Sequence, residues 1–144
     1  MSTPRLHVAE PPPHYRLRPP LVVDCSVVAG TVFSEPWQAD ADAQLTGRDL
    51  HAPYLLQCEI ASVALKKARA GLAELAADGI QSAADMAIEL HGIEEGAVVA
   101  LAQRYQLTAY DAAYLWLAAE LKAPLATFDR RLGVAAQRHL STLE

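Results

Sequence analysis

The sequence predicts an α/β fold in which a mostly parallel central sheet is flanked by helices on both faces. Two short apolar runs, LVVDC (21 to 25) and LATF (125 to 128), have the pattern of strands that are buried on both faces. Helical patterns separate these runs, and strands that alternate with helices pair in parallel through right-handed crossovers. With 52% hydrophobic and 20% charged residues, the chain is expected to fold rather than to remain disordered.

The N-terminal region is the part of the sequence least suited to regular structure. Six of the nine prolines lie in the first 20 residues, and proline lacks the N–H group that helices and sheet ladders require. Residues 1 to 19 are therefore predicted to be an extended or disordered tail, followed by one domain over residues 20 to 144. Within that domain, the first strand runs into a short helix, SVVAGTVFS, for which Ser26 is the predicted N-cap.

The remaining elements are predicted from capping residues and apolar spacing. Pro53 is expected to open a long helix that ends at Gly71, and Thr108 to cap a helix that Pro124 stops. Glycine commonly ends a helix because it adopts the left-handed conformation without strain. Further helices are predicted over WQADADAQLTG, AELAADGIQSAAD, IEEGAVVALAQRYQ and RRLGVAAQRH, and a strand over MAIELH.

Composition limits the cellular setting and the type of site. The chain has no apolar run of about 18 residues and no apolar core typical of a signal peptide, so a cytoplasmic protein is expected. Cys25 and Cys58 lack the spacing of a zinc site, and a disulfide is not expected. The net charge of −5 argues against a generally basic nucleic-acid-binding surface, although Arg130, Arg131 and Arg138 form a local basic cluster.

Four acidic residues stand out by their positions. Asp24 and Asp129 follow the two apolar strands, and parallel sheets place their ligand crevice at this carboxyl edge. Glu59 lies on the apolar face of a predicted helix, and Asp111 lies in the first turn of another. A cluster of carboxylates without histidine or cysteine suits hard cations such as Mg²⁺ or Mn²⁺.

Each acid also has a purely structural interpretation. Asp24 and Asp129 can each cap the helix that follows, and Asp111 stands in a T-x-x-D capping pattern with Thr108. Glu59 can instead lie at a solvated helix edge beside Lys66. Periodicity alone leaves open whether the four residues converge, because the chain has 17 acidic residues.

Several segments resemble the PIN-domain ribonucleases, in particular the VapC toxins of toxin-antitoxin pairs. LVVDCSVVAGTVFSE is similar to the family's opening strand and helix, and HAPYLLQCEIASVALKK to the segment that carries its second acid. LTAYDAAYLWLAAELKAPLATFDRRL, the most specific segment, resembles the block that carries the third and fourth acids. The proline-rich N-terminal extension departs from the family pattern.

The resemblance implies a PIN-like three-layer fold and an endoribonuclease that depends on Mg²⁺ or Mn²⁺. It assigns Asp24, Asp111 and Asp129 as direct or water-mediated metal ligands, and Glu59 as a further ligand or as the group that orients the attacking water. The number of metal ions is left open. The resemblance also implies hydrogen-bonding positions around these ligands at Ser26, Thr127 and Ser62, the last of which stands where the family often has asparagine.

Partners follow from the same resemblance. It implies an RNA substrate, a cognate antitoxin that silences the enzyme, and a homodimer, with no membrane involved. Arg130 and Arg131 follow the fourth acid and are candidates for contact with RNA phosphates, or else solvate the helix that they begin. An alternative function, suggested by Ser62, is a catalytically weak PIN-like module that acts with its antitoxin as a nucleic-acid-bound regulatory complex. An aspartate-nucleophile phosphatase is disfavoured because it requires D-x-D after the first strand.

Overall fold

A computed structural model describes residues 2–12 and 18–143 of the chain. Within these residues, strands and helices follow in the order β1 His7–Ala9, β2 Pro20–Val23, α1 Cys25–Val32, α2 Gln38–Leu45, β3 Asp49–Pro53, α3 Leu55–Arg69, α4 Ala73–Asp85, β4 Glu89–His91, α5 Glu95–Tyr105, α6 Ala109–Leu121, β5 Leu125–Thr127 and α7 Arg130–Leu140.

The strands form one sheet in the order β1-β5-β2-β3-β4. All neighbouring pairs are parallel except β1 and β5, which are antiparallel. Helices α1 to α4 contact one another, α5 to α7 contact one another, and both groups contact the sheet. The sheet therefore lies between two helical layers, and the predicted α/β fold with a mostly parallel sheet is confirmed.

Strand β2 lies at the centre of the core because every residue in it is buried. Its side chains pack against α6 on one face and are also buried on the other face, which is why the run LVV shows no polar alternation. On one side of the sheet, α6 contributes six buried residues, including Leu115 and Leu117. No helix of the described residues is long and apolar enough to span a membrane.

Two strands were not predicted from the sequence. Residues His7–Ala9 form β1 within the segment predicted to be a tail, so the prediction that this segment cannot join a ladder is wrong for these three residues. The prolines Pro4 and Pro11 flank the strand rather than interrupt it, and its N–H groups remain available. Residues 1 and 13–17 of the predicted tail lie outside the described residues.

The second missed strand is β3, and it changes the role of Pro53. This proline was predicted to open a helix, but it ends β3, and the helix begins two residues later at Leu55. The prediction for α1 also changes, because Asp24 rather than Ser26 is the N-cap and its side chain accepts a hydrogen bond from the backbone N–H of Val27. Thr108 caps α6 as predicted.

Candidate metal-binding active site

Asp24 and Asp129 lie at the carboxyl ends of β2 and β5, which are neighbours in the sheet. From β2 the chain continues through β3 and β4 on one side and then returns to β5 on the other side. The crevice between β2 and β5 is therefore the topological switch point, where open α/β sheets place their ligand sites. The two aspartates also cap α1 and α7, so the structural and the functional interpretations of these residues both apply.

The carboxylate of Asp24 is held by hydrogen bonds to both of its oxygens. Oδ1 accepts from the Ser26 hydroxyl at 2.6 Å and from the backbone N–H of Val27 at 3.2 Å. Oδ2 accepts a short hydrogen bond from the Thr127 hydroxyl. These donors orient a carboxylate that is only 7% exposed, so Asp24 is fixed in position before any cation binds.

Ser26 and Thr127 also connect the two strand ends. The Ser26 hydroxyl accepts a hydrogen bond from the backbone N–H of Phe128 at 2.9 Å, and the Thr127 hydroxyl accepts one from the backbone N–H of Asp129 at 2.9 Å. Each hydroxyl thus donates to Asp24 and accepts from the loop after β5. The structure brings both predicted residues next to Asp24, and Thr127 connects Asp24 to Asp129.

Glu59 points from α3 towards α6 rather than towards Lys66. Its Oε1 accepts a hydrogen bond of 2.6 Å from the hydroxyl of Tyr114, a residue that is 1% exposed. Burial, and to a smaller extent the charge of Asp111, raise the pKa of Glu59. Tyr114 follows Asp111 by three positions on α6, a spacing that places both on one helical face.

Asp111 is the residue through which the four acids are coupled. Burial and the negative charge of Asp129 raise the pKa of Asp111. The charge of Asp111 in turn raises the pKa of Asp24 and of Glu59. The charges of Asp24, Glu59 and Asp129 therefore each interact with that of Asp111.

The electrostatics of this region fit a bound cation. Desolvation is the largest cause of the raised pKa in Asp24, Glu59 and Asp111, and the pKa of Asp24 rises to about 6 despite three hydrogen bonds that lower it. Ionised carboxylates at such a site are unfavourable unless a positive charge compensates them. All four groups offer oxygen ligands, which hard divalent cations prefer.

The four carboxylates do not form a compact set of ligand atoms around a single point. Among the described residues, the only set of three metal-binding side chains whose ligand atoms all lie within 4.8 Å of one another is elsewhere, at His51, Glu89 and His91. A wider arrangement is still compatible with Mg²⁺, because this ion keeps several of its water molecules and binds through few carboxylates.

The other predicted site residues differ in their relation to the four acids. Ser62 is exposed on α3, and its hydroxyl makes no hydrogen bond within the described part of the chain, so it does not join the network around Asp24. The charge of Arg131 lowers the pKa of Asp111, although burial and the charge of Asp129 raise it by more, and this effect indicates that Arg131 lies near the acids. Arg130 is exposed at the start of α7.

A basic groove adjoins the site. It has a volume of about 880 Å³ and is lined in part by Arg104, Arg130, Arg131 and Arg138. None of these four arginines forms an ion pair with a carboxylate in the described part of the chain. Sequence clustering had indicated three of them, whereas Arg104 comes from α5 and was not predicted.

The raised pKa of Asp24 predicts a specific pH dependence of stability. Its ordinary value is 3.8 and its value in the fold is about 6, so the folded state binds this proton more tightly than the unfolded chain. Stability of the metal-free protein should therefore fall as the pH rises from about 4 to about 6, by up to about 3 kcal/mol from this residue.

Urea denaturation at several pH values in the presence of a chelator checks this expectation. Asp24→Asn should remove this contribution, so the variant should become the more stable protein above pH 6. The difference between variant and wild type isolates Asp24 from the other titrating groups. A difference that does not change with pH would contradict the prediction.

Comparison with known proteins identifies the family. A PIN domain family model matches residues 21–137. The chain is 32% identical over 119 residues to Ribonuclease VapC3 from Pyrobaculum aerophilum, an alignment that covers 78% of this chain and 91% of the relative.

These matches also bear on the predicted enzyme class. PIN domains depend on divalent metal ions, in agreement with the chemistry of the acidic residues. The predicted class, a ribonuclease of the hydrolase type, is confirmed at the level of the family. The chain therefore belongs to the PIN-domain family of VapC-like ribonucleases.

Proposed function

We propose that this chain is a Mg²⁺- or Mn²⁺-dependent endoribonuclease and the toxin of a toxin-antitoxin pair. The observation that carries the proposal is the placement of Asp24 and Asp129 at the carboxyl ends of the neighbouring strands β2 and β5, where the Thr127 hydroxyl contacts both residues. The ligand chemistry and the family membership support the same function.

The residues around the proposed metal site have different roles in the proposed activity. Asp24, Asp111 and Asp129 would hold the cation directly or through water, and Glu59 would be a further ligand or would orient the attacking water. When bound, the cation would lower the pKa of a bound water and stabilise the charge that develops on the phosphate. Ser26 and Thr127 keep the Asp24 carboxylate in one orientation, and the Tyr114 hydroxyl does the same for Glu59.

Metal removal tests the proposed activity. Dialysis against a chelator should abolish cleavage of a single-stranded RNA, and added Mn²⁺ or Mg²⁺ should restore it. Calorimetric titration of the metal-free protein should show saturable Mn²⁺ binding. A folded protein that binds RNA without cleaving it, and that gives no Mn²⁺ isotherm, would contradict the proposal and favour the regulatory binding module.

The RNA phosphates are proposed to run along the basic groove beside the acids. Four arginines that form no ion pair with a carboxylate of the described residues create a positive potential there, which would let a chain with a net charge of −5 attract a polyanion. Arg130 and Arg131 are the proposed contacts nearest the acids, and Arg104 and Arg138 extend the groove away from them.

Substitution of Arg130 or Arg138 by an uncharged residue should weaken RNA binding without changing the fold. Loss of either positive charge is expected to reduce the slope of the logarithm of the binding constant against the logarithm of the salt concentration by about 0.7 for single-stranded RNA. The measurement is fluorescence anisotropy of a labelled RNA with Asp111→Asn protein, so that the RNA stays intact. Lys66→Gln, an exposed change on α3 outside the groove, is the control. Equal effects of the control and groove variants would argue against this RNA path.

A cognate antitoxin, a homodimer and a cytoplasmic location complete the proposal. An apolar groove of about 470 Å³ between α3 and α4 supports a protein partner, because its lining by Leu56, Ile60, Ile80 and Leu90 suits the apolar face of an amphipathic helix. A short open reading frame for a small DNA-binding protein immediately upstream would identify the antitoxin.

A further inference from the structure

A second cluster of ligand-type side chains lies on β3 and β4, and the proposed function does not use it. Nδ1 of His51 is 2.9 Å from Nε2 of His91 and 3.4 Å from Oε2 of Glu89. The three ligand atoms all lie within 4.8 Å of one another, and no other set of three in the described residues meets this limit. His51 and His91 are half-buried, whereas the side chain of Glu89 is 68% exposed.

The parallel register of the strands builds this cluster. His51 is the partner of Glu89, and Pro53 is the partner of His91, so the two β4 residues are two positions apart and lie on the same face as His51. Leu90, between them, lies on the opposite face and lines the apolar groove. The 40 positions between His51 and His91 explain why no ligand spacing is visible in the sequence.

The separations are close to those of a metal site. A tetrahedral Zn²⁺ ion with ligands at about 2.0–2.1 Å places any two ligand atoms about 3.3 Å apart. The two separations from Nδ1 of His51, 2.9 Å and 3.4 Å, bracket this value, and the ligand atoms of all three residues lie within 4.8 Å of one another, so adjustment of the side chains alone is expected to suffice. In the absence of metal, the two rings share a hydrogen bond, with one nitrogen as donor and the other as acceptor.

The donor set also selects the kind of metal. Two imidazole nitrogens and one carboxylate oxygen suit Zn²⁺, whereas Mg²⁺ prefers oxygen ligands alone. Three protein ligands leave the fourth position for water, and the exposure of Glu89 gives solvent access to the cluster. We propose that His51, Glu89 and His91 form a Zn²⁺ site that links the edge strand β4 to β3.

This site is distinct from the proposed catalytic one, since the two share no residue and differ in ligand chemistry. Its expected role is structural. Strand β4 has three residues and pairs with β3 alone, because it lies at the edge of the sheet. A metal ion bound only by the folded arrangement would stabilise this edge by mass action.

The test measures Zn²⁺ binding by untagged protein from which bound metal has been removed, in a buffer that contains excess Mg²⁺. Calorimetry monitors the binding of Zn²⁺, and the visible spectrum monitors the binding of Co²⁺ used in its place. Wild type should bind one equivalent, and His91→Gln or Glu89→Gln should bind at least about 100-fold more weakly. Glu89→Gln changes an exposed side chain and should fold normally. His139→Gln is the matched control, because its ring contacts Tyr105 instead.

A second readout separates this site from the acidic one. Zn²⁺ should raise the urea midpoint of wild type and of Asp111→Asn, but not that of His91→Gln. The proposal is overturned if wild type shows no saturable Zn²⁺ binding, if Glu89→Gln and His91→Gln bind like wild type, or if only Asp111→Asn loses binding. Loss of RNA cleavage alone would concern the acidic site and leave the Zn²⁺ measurements unaffected.

Discussion

Asp111→Asn should reduce metal-dependent RNA cleavage by about 10³-fold, because it removes the charge that is coupled to the three other acids. Asparagine has nearly the same size as aspartate. The backbone N–H of residue 111 would still donate to Thr108 and keep the start of α6 intact. The rate of cleavage of a labelled RNA at saturating Mn²⁺, with the circular dichroism spectrum as a check on folding, measures the effect.

The control for this variant lies on the same helix. Glu120→Gln removes an exposed negative charge near the end of α6 and should leave cleavage within about twofold of wild type. The metal-free Asp111→Asn protein should also be no less stable than wild type at neutral pH, since the pKa of Asp111 is raised in the fold. Full retained activity in Asp111→Asn would disprove the assignment of the acids as a metal site.

Gly79→Ala should destabilise the fold by about 2 kcal/mol, although alanine favours helices more than glycine does. Gly79 is buried within α4, and a Cβ atom there would lie 2.2 Å from Cε1 and 2.4 Å from Cδ1 of Phe33. The Phe33 ring is 1% exposed and has little space to move away. Urea denaturation at equilibrium measures the change in the free energy of unfolding.

Two further variants test this explanation. Asp78→Ala changes the exposed neighbour on α4 and should be neutral or stabilising by about 0.5 kcal/mol, because only helix propensity changes. Phe33→Leu combined with Gly79→Ala should recover part of the loss, since the smaller side chain makes room for the new methyl group. A stability gain in Gly79→Ala alone would show that propensity outweighs the steric conflict.

Local rules predicted most helices because their signals lie within the elements themselves. Thr108 caps α6, and the polar and apolar spacing of AELAADGIQSAAD corresponds to α4 over Ala73–Asp85. The cap of α1 was misassigned by two residues because Asp24 and Ser26 are both good N-caps, and only the observed hydrogen bond to Val27 distinguishes them.

The two missed strands depend on their neighbours. The sequence DLHAP of β3 contains the polar residues Asp49 and His51 and ends in proline, so it lacks the apolar pattern of β2. It becomes a strand because β2 and β4 pair with it on either side. Similarly, β1 has only three residues and forms because it pairs with β5 and packs against α7. Gly133 on α7 has no side chain and therefore leaves room for His7.

For the candidate site, the sequence by itself determined which acids are present, that Asp24 and Asp129 follow strands, and that the segments around Asp111 resemble a known family. Only the tertiary structure decided that Asp111 is coupled to the other three acids, that Tyr114 orients Glu59, and that Ser62 is exposed. The tertiary structure also brought His51 to His91. The physical reason is that capping and apolar periodicity act within one element, whereas desolvation, charge coupling and strand register arise between elements that are distant in the chain.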